Sequence, residues 1–339
     1  MSDYFRPLVR NDRPRPDGAV PLAGGPAWFS HVEHLRRDAP AERVPASALP
    51  GAVLDTLSAA RPPVCGMSFD RPRIMGIINV TPDSFSDGGR FSGPARAAAH
   101  ARQMVADGAD IIDVGGESTR PGAAAVPIPS EIARIEPVIT ALSSAVSVPV
   151  SIDTRKYSVA EAAIKAGASL VNDVSGFTYD RMLGQYCARQ GLPVCVMHAS
   201  GDPETMQDNP RYDDVLLDVY DFLAAQVLML QDLGIPRGRI LVDPGIGFGK
   251  NLAHNLTILR NVSLFHALGC PVLVGASRKG FIGRISGVQD ADRRMPGSIA
   301  VALAAVAQGV QILRVHDVAE TAQALALWSA VERGESDDT

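Results

Sequence analysis

Side chains that can bind ligands recur directly after short, mostly apolar runs in this 339-residue chain. Asn79, Asp153 and His198 each end a run that is typical of a buried strand. Arg314 and His316 end another such run and, being two residues apart, would share one face of a strand. Amide, carboxylate, imidazole and guanidinium groups gathered in this way can bind an anion, a metal ion or a polar heterocycle.

Two kinds of chemistry can be separated among these residues. Guanidinium groups match phosphate oxygens, and an asparagine oxygen with loop carboxylates can hold Mg²⁺. The set suited to an anion is Asn79, Arg120, Arg314 and His316. A carboxylate can accept two N–H donors from an amino-pyrimidinone edge, while a lysine donates to a ring carbonyl or nitrogen. The set suited to such a flat heterocycle is Asp153, Asn172, Asp243 and Lys279.

Each position also has a simpler structural interpretation. An acidic residue that opens a helix is commonly an N-cap, and we interpret Asp317 in this way. The glycine-rich residues 245–249 can be a tight turn, and His198 can be a buried core histidine. However, burying so many unpaired polar groups would cost about 1–3 kcal/mol each. A ligand that pairs with them is therefore the simpler explanation for the whole set.

The elements that position these residues alternate regularly from residue 73 onward. Eight strand patterns and eight helix patterns predict an α/β fold, a (β/α)₈ TIM barrel that binds ligands at the carboxyl ends of its strands, with a doubly wound open sheet as the alternative. The predicted strands are residues 74–79, 110–114, 148–153, 170–174, 193–198, 240–243, 271–275 and 311–315. The predicted helices are residues 95–107, 130–144, 159–166, 181–190, 215–233, 252–268, 297–308 and 318–333.

The alternation of side chains along a strand predicts which neighbours diverge. Residues two apart share a face, so Asn172 and Asp173 must point in opposite directions. If the seventh strand continues far enough, Lys279 shares a face with Gly275, and Arg278 points away.

The first 70 residues differ in character from the rest. They are rich in Pro and Arg, and short helices are predicted at residues 27–37 and 50–60. Because few apolar residues are available for a separate core, we interpret residues 1–70 as an N-terminal extension packed on a barrel of residues 71–335. The acidic tail, residues 332–339, is expected to fray.

The composition limits the classes of partner. A formal net charge of −5 gives no basic excess that would favour nucleic acid or an acidic membrane surface. No apolar run approaches the roughly 18 residues of a membrane span. Four cysteines without paired spacing, and no secretory leader pattern, indicate a reducing cytoplasm.

Several motifs resemble those of the dihydropteroate synthase family. The two longest are IINVTPDSFSDGG at residues 77–89 and DVGGESTRPG at residues 113–122. Shorter matches follow in family order: SIDT at 151–154, ND at 172–173, MH at 197–198, DPGIGFGK at 243–250, SRK at 277–279 and RVHDV at 314–318. Ile246 stands where the family commonly has an aromatic residue.

The resemblance implies a reaction, a fold and a set of site residues. The family joins p-aminobenzoate to 6-hydroxymethyl-7,8-dihydropterin diphosphate on a (β/α)₈ barrel with Mg²⁺, giving dihydropteroate and diphosphate. The implied pterin site is Asp153, Asn172, Met197, Asp243, Gly275 and Lys279, and the implied diphosphate site is Asn79, Arg314 and His316. The implied aminobenzoate site is Thr119, Arg120, Pro121, Phe248, Ser277 and Lys279, and the implied Mg²⁺ ligands are Asn79 and Asp87. Lys279, Asp153, Arg314 and Asn79 are the implied catalytic residues.

The resemblance also implies sulfonamide inhibition and a homodimer. Two other functions remain open: a methyltetrahydrofolate-dependent corrinoid methyltransferase and a non-catalytic pterin-binding paralogue. The methyltransferase would need no diphosphate-binding residues, and the paralogue would be expected to lose loop residues. The Gly- and Pro-bearing loop around Thr119 and Arg120 further suggests that p-aminobenzoate binds only after the pterin diphosphate.

Overall fold

The computed structural model describes residues 3–80, 93–118, 125–201, 206 and 209–334. Residues 3–58 contain five short strands and one helix. They are β1 (Tyr4–Pro7), β2 (Val20–Pro21), β3 (Trp28–Phe29), β4 (His31–Arg36), β5 (Ala39–Pro45) and α1 (Gly51–Ser58). The strand β4 pairs antiparallel with β1 and with β5, and β2 pairs with β3.

The helix predicted over residues 27–37 is wrong, because this stretch forms β3 and β4. Arg6 of β1 pairs with Glu33 of β4 at 2.6 Å, and the rings of Phe5 and His34 stack with centroids 4.8 Å apart. These pairings join parts of the chain that are 27 residues or more apart, and they outweigh a weak local preference for helix. The helix predicted over residues 50–60 is confirmed as α1.

The N-terminal strands pack on the barrel through apolar and polar contacts, and Tyr4 of β1 is part of the barrel's hydrophobic core. Tyr4 Oη donates a hydrogen bond to Asp221 at 2.9 Å. Arg37 donates to Asp218 and to Asp221, each at 2.7 Å. Between the strands and α1 lies a small apolar cluster that includes Leu22, Phe29, Val32 and Leu57.

Eight parallel strands form the barrel, which confirms the predicted (β/α)₈ fold. They are β6 (Arg73–Asn79), β7 (Ile111–Gly115), β8 (Val150–Asp153), β9 (Leu170–Asp173), β10 (Val194–Met197), β11 (Ile240–Asp243), β12 (Leu273–Val274) and β13 (Ile312–Val315). Their order in the sheet runs from β11 back to β6 and then to β13 and β12. A parallel bridge between Val242 and Val272 joins the two ends, so the open-sheet alternative is excluded.

Helices follow the strands and cover the outside of the barrel. They are α2 (Gly93–Ala106), α3 (Ile128–Ala145), α4 (Tyr157–Ala166), α5 (Arg181–Gln190), α6 (Val215–Asp232), α7 (Leu252–Arg260), α8 (Gly280–Ser286), α9 (Met295–Val306) and α10 (Val318–Arg333). The predicted helix 252–268 ends at Arg260, and a 3₁₀ segment, Val262–Leu268, follows it. The short helix α8 was not expected from the sequence. No helix within the described ranges is long and apolar enough to cross a membrane.

An apolar layer closes the amino-terminal end of the barrel. Inward-facing residues near the starts of seven strands form it: Met75, Ile111, Leu170, Cys195, Leu241, Leu273 and Ile312. The turn before β6, which is held by an antiparallel bridge between Val64 and Met67, packs Val64, Met67 and Phe69 against this layer. Since this end is filled with apolar side chains, a ligand must bind at the opposite end of the strands.

Candidate active site

The next inward layer of the barrel is polar. Side chains two residues apart share a strand face, so Ile111 is followed by Asp113, and Leu170 by Asn172. The members of this layer are Asp113, Asp153, Asn172, Met197, Asp243, Gly275 and Arg314. All except Arg314 are buried. The barrel therefore brings five of the six predicted pterin residues, Asp153, Asn172, Met197, Asp243 and Gly275, into one ring with Asp113 and Arg314.

Arg314 spans two buried carboxylates in this ring. Its Nε donates to Asp113 Oδ2 at 2.7 Å, and its Nη2 donates to Asp153 Oδ2 at 2.8 Å. Asn172 Nδ2 also donates to Asp113 Oδ2, at 3.1 Å. Although burial lowers the pKa of Arg314, the two carboxylates hold it above its ordinary value. Arg314 therefore stays charged and links residues from three strands.

Two carboxylate oxygens in the ring have no hydrogen-bond partner among the described residues. They are Asp113 Oδ1 and Asp153 Oδ1, both buried. Burial raises the pKa of Asp153 to about 7, while Arg314 opposes that rise and Asp113 adds to it. A buried acceptor without a partner costs about 1–3 kcal/mol, so both oxygens favour a ligand that donates N–H groups to them.

Asp243 lies on the other side of the ring. Its Oδ1 accepts the backbone N–H of Gly245 at 2.7 Å. Burial raises the pKa of Asp243, and the charge of Lys279 is the main opposing influence. A Cβ atom at Gly275 would lie 3.8 Å from Asp243 Oδ2 and 3.7 Å from Arg314 Cβ. Glycine at 275 therefore keeps the space between these two side chains open.

Lys279 reaches this site from the turn after β12. Its Nζ donates to the backbone carbonyl of Ile246 and lies 4.3 Å from the centre of the Phe248 ring. Burial lowers the pKa of Lys279 to about 7, and the Asp243 carboxylate is the main group that raises it. Lys279 is thus close to changing charge at neutral pH.

Arg278 points away from the site, but strand alternation is not the reason. The strand β12 ends at Val274, and a left-handed backbone at Arg278 (φ 58°) redirects the chain. The guanidinium of Arg278 binds Asp292 and Asp317. Asp317 occupies the N-cap position of α10 as predicted, but its carboxylate makes no cap hydrogen bond and instead binds Arg278. Asn172 and Asp173 do diverge as expected, since Asp173 accepts from the N–H of Phe177.

Ser277, His316 and Asn79 lie at strand exits around the ring. Ser277 Oγ lies 3.0 Å from His316 Nδ1 and accepts the backbone N–H of His316 at 3.2 Å. A Cβ atom at Gly115 would lie 3.7 Å from Asp153 Oδ2 and 3.9 Å from Asn79 Oδ1. Glycine at 115 therefore leaves room beside two oxygen atoms of the kind that Mg²⁺ prefers.

Four predicted site residues lie outside the described residues: Thr119, Arg120, Pro121 and Asp87. Within the described ranges, no group of three or more His, Cys, Asp or Glu side chains is placed to hold a metal ion. The Mg²⁺ prediction therefore depends on Asn79 and on a segment that the structure does not describe.

Buried charged side chains connect the residues on either side of positions 119–124. Lys156 Nζ lies 2.7 Å from Glu131 Oε2 and 2.9 Å from Glu117 Oε2, and it donates to the carbonyl of Val126 at 2.6 Å. Glu117 Oε1 accepts the N–H of Val126 at 2.9 Å. Glu117 and Lys156 therefore join the residues on either side of this segment.

Asp113 is not among the residues given a role from the sequence, although the structure makes it a partner of both Arg314 and Asn172. One feature of the sequence could have identified Asp113: it is a charged residue two positions after Ile111, within a strand whose inward face is otherwise apolar. The simpler interpretation of His198 as a buried histidine is confirmed, because it is 6% exposed and its Nδ1 lies 2.8 Å from Lys250 Nζ.

The fold and the site together define a (β/α)₈ barrel of the enzyme type, with buried acceptors for N–H groups at the carboxyl ends of its strands. A family model described as "Pterin binding enzyme" matches residues 75–316. The chain is 45% identical over 267 residues to the dihydropteroate synthase of Escherichia coli K12, covering 78% of this chain and 94% of that protein. The chain belongs to the dihydropteroate synthase family of pterin-binding enzymes.

Solved structures agree with this assignment. A Xanthomonas albilineans dihydropteroate synthase with 4-aminobenzoic acid is 44% identical and has a TM-score of 0.75, covering 79% of this chain and 97% of that one. A Yersinia pestis dihydropteroate synthase with a sulfonamide drug complex is 43% identical and has a TM-score of 0.74, covering 80% and 98%. The N-terminal residues 3–70 lie outside the family match.

Proposed function

We propose that this chain joins p-aminobenzoate to 6-hydroxymethyl-7,8-dihydropterin diphosphate and releases dihydropteroate and diphosphate. The observation that carries the proposal is the ring of polar side chains at the carboxyl ends of the strands, in which Asp113 and Asp153 each have a buried oxygen without a partner among the described residues. The family membership and the 4-aminobenzoic acid complex of the Xanthomonas albilineans relative support it.

The pterin binds in the polar ring. Its amino-pyrimidinone edge donates N–H groups to Asp153 and Asp243, whose charges make these hydrogen bonds stronger than neutral ones. Asn172 supplies both a donor and an acceptor. Lys279 donates to a ring carbonyl or nitrogen, and the glycine at 275 leaves room for the flat ring.

The arylamine binds beside Lys279 and Phe248, with Ser277 and the Thr119–Pro121 residues completing its site. Its nitrogen attacks the methylene carbon of the pterin as the bond to diphosphate breaks. No strong base is needed before the attack, because the amine attacks in its neutral form, and the nitrogen then loses its extra proton to the departing diphosphate or to solvent. The electron-rich dihydropterin stabilises positive charge on the methylene carbon.

The departing diphosphate carries negative charge that must be neutralised. Arg314, His316 and Asn79 are the residues that we assign to this task. Mg²⁺ held by Asn79 and Asp87 would supply further positive charge. The space beside Gly115, between Asn79 Oδ1 and Asp153 Oδ2, supports this assignment.

Two further expectations belong to this proposal. A homodimer is expected by analogy with the family, and the exposed apolar side chains Leu327 and Val331 on α10 offer a surface for it. Residence in a reducing cytoplasm is supported by four cysteines that form no disulfide.

Diphosphate release tests the proposed function. Release should require the pterin diphosphate, p-aminobenzoate and Mg²⁺ together, and a sulfonamide should inhibit it in competition with p-aminobenzoate. A corrinoid methyltransferase or a binding protein would release no diphosphate under these conditions. Release that does not depend on p-aminobenzoate would refute the proposal.

A further inference from the structure

The turn after β11, residues 245–249, is pressed against the exit of β10. Gly245 has φ +69°, and a Cβ atom there would lie only 1.9 Å from the carbonyl oxygen of His198. Gly249 has φ +61°, and a Cβ atom there would lie 2.6 Å from the carbonyl oxygen of Ser200. Only glycine permits this conformation and this close approach. The turn and the β10 exit therefore form one packed unit.

Lys250 joins the two parts of this unit. Its Nζ lies 2.8 Å from His198 Nδ1, 3.0 Å from the Phe248 carbonyl oxygen and 3.3 Å from the His198 carbonyl oxygen. Lys250 is 2% exposed, and its Nζ lies within hydrogen-bond distance of these three protein acceptors. Burial lowers the pKa of Lys250 well below its ordinary value, the Asp243 carboxylate opposes that shift, and the charge of Lys279 adds to it. Burial lowers the pKa of His198 to about 2, with the charge of Lys250 adding to the effect, so the imidazole is neutral and Nδ1 can accept.

The opposite face of the same turn holds Lys279. The carbonyl of Ile246 accepts from Lys279 Nζ, and the Phe248 ring lies beneath that ammonium group. Phe248 is thus shared: its carbonyl is bound by Lys250, and its ring contacts Lys279. A change at Lys250 must reach Lys279 through this turn.

We propose that Lys250 and His198 fasten the 245–249 turn so that Ile246 and Phe248 hold Lys279 Nζ in the position that the reaction needs. Lys250 is then a positioning residue. The role of Lys279 in the reaction rests on the proposed function. The contacts by which Lys250 and His198 hold the 245–249 turn do not, because they are a property of the folded chain.

A second hydrogen bond to the 245–249 turn allows a substitution that can be compared with Lys250→Met. Tyr212 Oη donates to the carbonyl of Gly249 at 2.7 Å. Replacing Tyr212 with Phe loosens the turn without changing any charge near Lys279. The Lys250→Met substitution removes both the fastening and a charge. Besides Lys250, which interacts electrostatically with Lys279, the charged groups facing Lys279 are Asp243, Arg314 and Asp153, and neither substitution alters these three.

The lysines themselves permit a test that does not depend on activity. The chain has four: Lys156, Lys165, Lys250 and Lys279. With ¹³Cε-labelled lysine, NMR follows the titration of each resonance, and substitutions assign them. In the wild type the Lys279 signal should titrate near pH 7. A loosened turn admits water to Lys279, so its proton affinity should rise about tenfold in Lys250→Met and by less in Tyr212→Phe.

The outcomes separate fastening from simple charge removal. A rise in both variants supports the proposal. A rise in Lys250→Met alone would mean that only the lost charge matters, and an unchanged titration in either folded variant overturns the positioning role. If Lys250→Met does not fold, Tyr212→Phe decides the question by itself. Leu230→Ala, a buried change in α6, controls for general loss of stability and should leave the Lys279 titration unchanged.

Turnover gives the functional readout. Diphosphate release at saturating substrates should fall about tenfold in Lys250→Met and by less in Tyr212→Phe, following the order of the NMR shifts. Equal turnover in all variants would contradict the proposal. If the wild type itself shows no p-aminobenzoate-dependent release, the proposed function fails, while the NMR titration still tests the fastening.

Discussion

Arg314 Nη2 lies 2.8 Å from Asp153 Oδ2, so the residue assigned to the diphosphate is bound to a residue assigned to the pterin. The two side chains come from β13 and β8, 161 residues apart in the sequence. Their contact means that the two proposed substrate sites share one electrostatic network. Binding of either half of the pterin diphosphate should therefore affect the residues that bind the other half.

Removing one charge from the ring should weaken pterin binding. Asp153→Asn or Asp243→Asn replaces an ionic acceptor with a mismatched amide, and we expect a loss of about 2–4 kcal/mol in binding free energy. Calorimetry with the pterin diphosphate measures it. Asp173→Asn is the matched control, because Asp173 lies on the opposite strand face and binds its own turn. Unchanged affinity in both ring variants would remove these residues from the site.

Lys279 and its neighbour Arg278 should differ in their effects. Lys279→Ala should abolish turnover, because the Lys279 ammonium group lies over the Phe248 ring at the proposed substrate site. Arg278→Ala should leave substrate affinity largely intact and act mainly on stability, since its guanidinium binds Asp317 and Asp292. Steady-state kinetics with thermal unfolding compares them. An equal loss of substrate affinity in two folded variants would contradict this division of roles.

Pterin affinity should have a maximum near neutral pH. Asp153, whose pKa is raised to about 7, accepts N–H groups as a carboxylate, so affinity falls as the pH drops through that value. Lys279, whose pKa is lowered to about 7, donates best when protonated, so affinity also falls as the pH rises through that value. Fluorescence titration at several pH values measures both limbs.

A substitution at Asp113 tests whether Asp153 causes the loss of pterin affinity at low pH. Asp113 raises the pKa of Asp153, so Asp113→Asn should move the acid limb to lower pH. A profile that is flat between pH 5.5 and pH 8.5, roughly the range that spans both groups, would show that neither group titrates during binding.

Substrate binding should be ordered. Arg314 is engaged by Asp113 and Asp153, and a bound diphosphate would bring further negative charge to the barrel mouth. We therefore expect p-aminobenzoate or a sulfonamide to bind only after the pterin diphosphate. Calorimetric titration of p-aminobenzoate, first alone with Mg²⁺ and then with pterin and diphosphate, tests this order. Equal affinities would mean that the aminobenzoate site is already formed.

The turn that closes the amino-terminal end of the barrel should contribute to stability and not to catalysis. Phe69→Ala removes a buried ring from the apolar layer and should cost about 3–5 kcal/mol in the free energy of unfolding. The KM values should be unchanged, because this layer lies at the end of the strands opposite the site. Urea unfolding measures the loss, and the exposed Leu228→Ala serves as a control within about 0.5 kcal/mol. A raised KM would place this layer in contact with the site.

The sequence by itself determined the barrel and most of its ring. Alternating apolar runs predict strands because a side chain faces inward at every second residue, and this places Asp153, Asn172 and Asp243 on inward faces. Helix ends such as Arg181–Gln190 were also predictable, since Asp180 caps the start and Gly191 adopts a left-handed conformation at the end.

The tertiary structure alone decided which of these groups meet. Arg314 binds Asp113 and Asp153 because the barrel places β13 beside β6, so that the Arg314 side chain reaches the inward faces of β7 and β8, and such long-range pairing leaves no local pattern in the chain. The strand character of residues 31–36 has the same origin, since it depends on pairing with β1 and β5. Lys279 reaches the site through a left-handed turn at Arg278, which strand alternation could not predict. Local preferences specify elements, while contacts between distant residues select their partners.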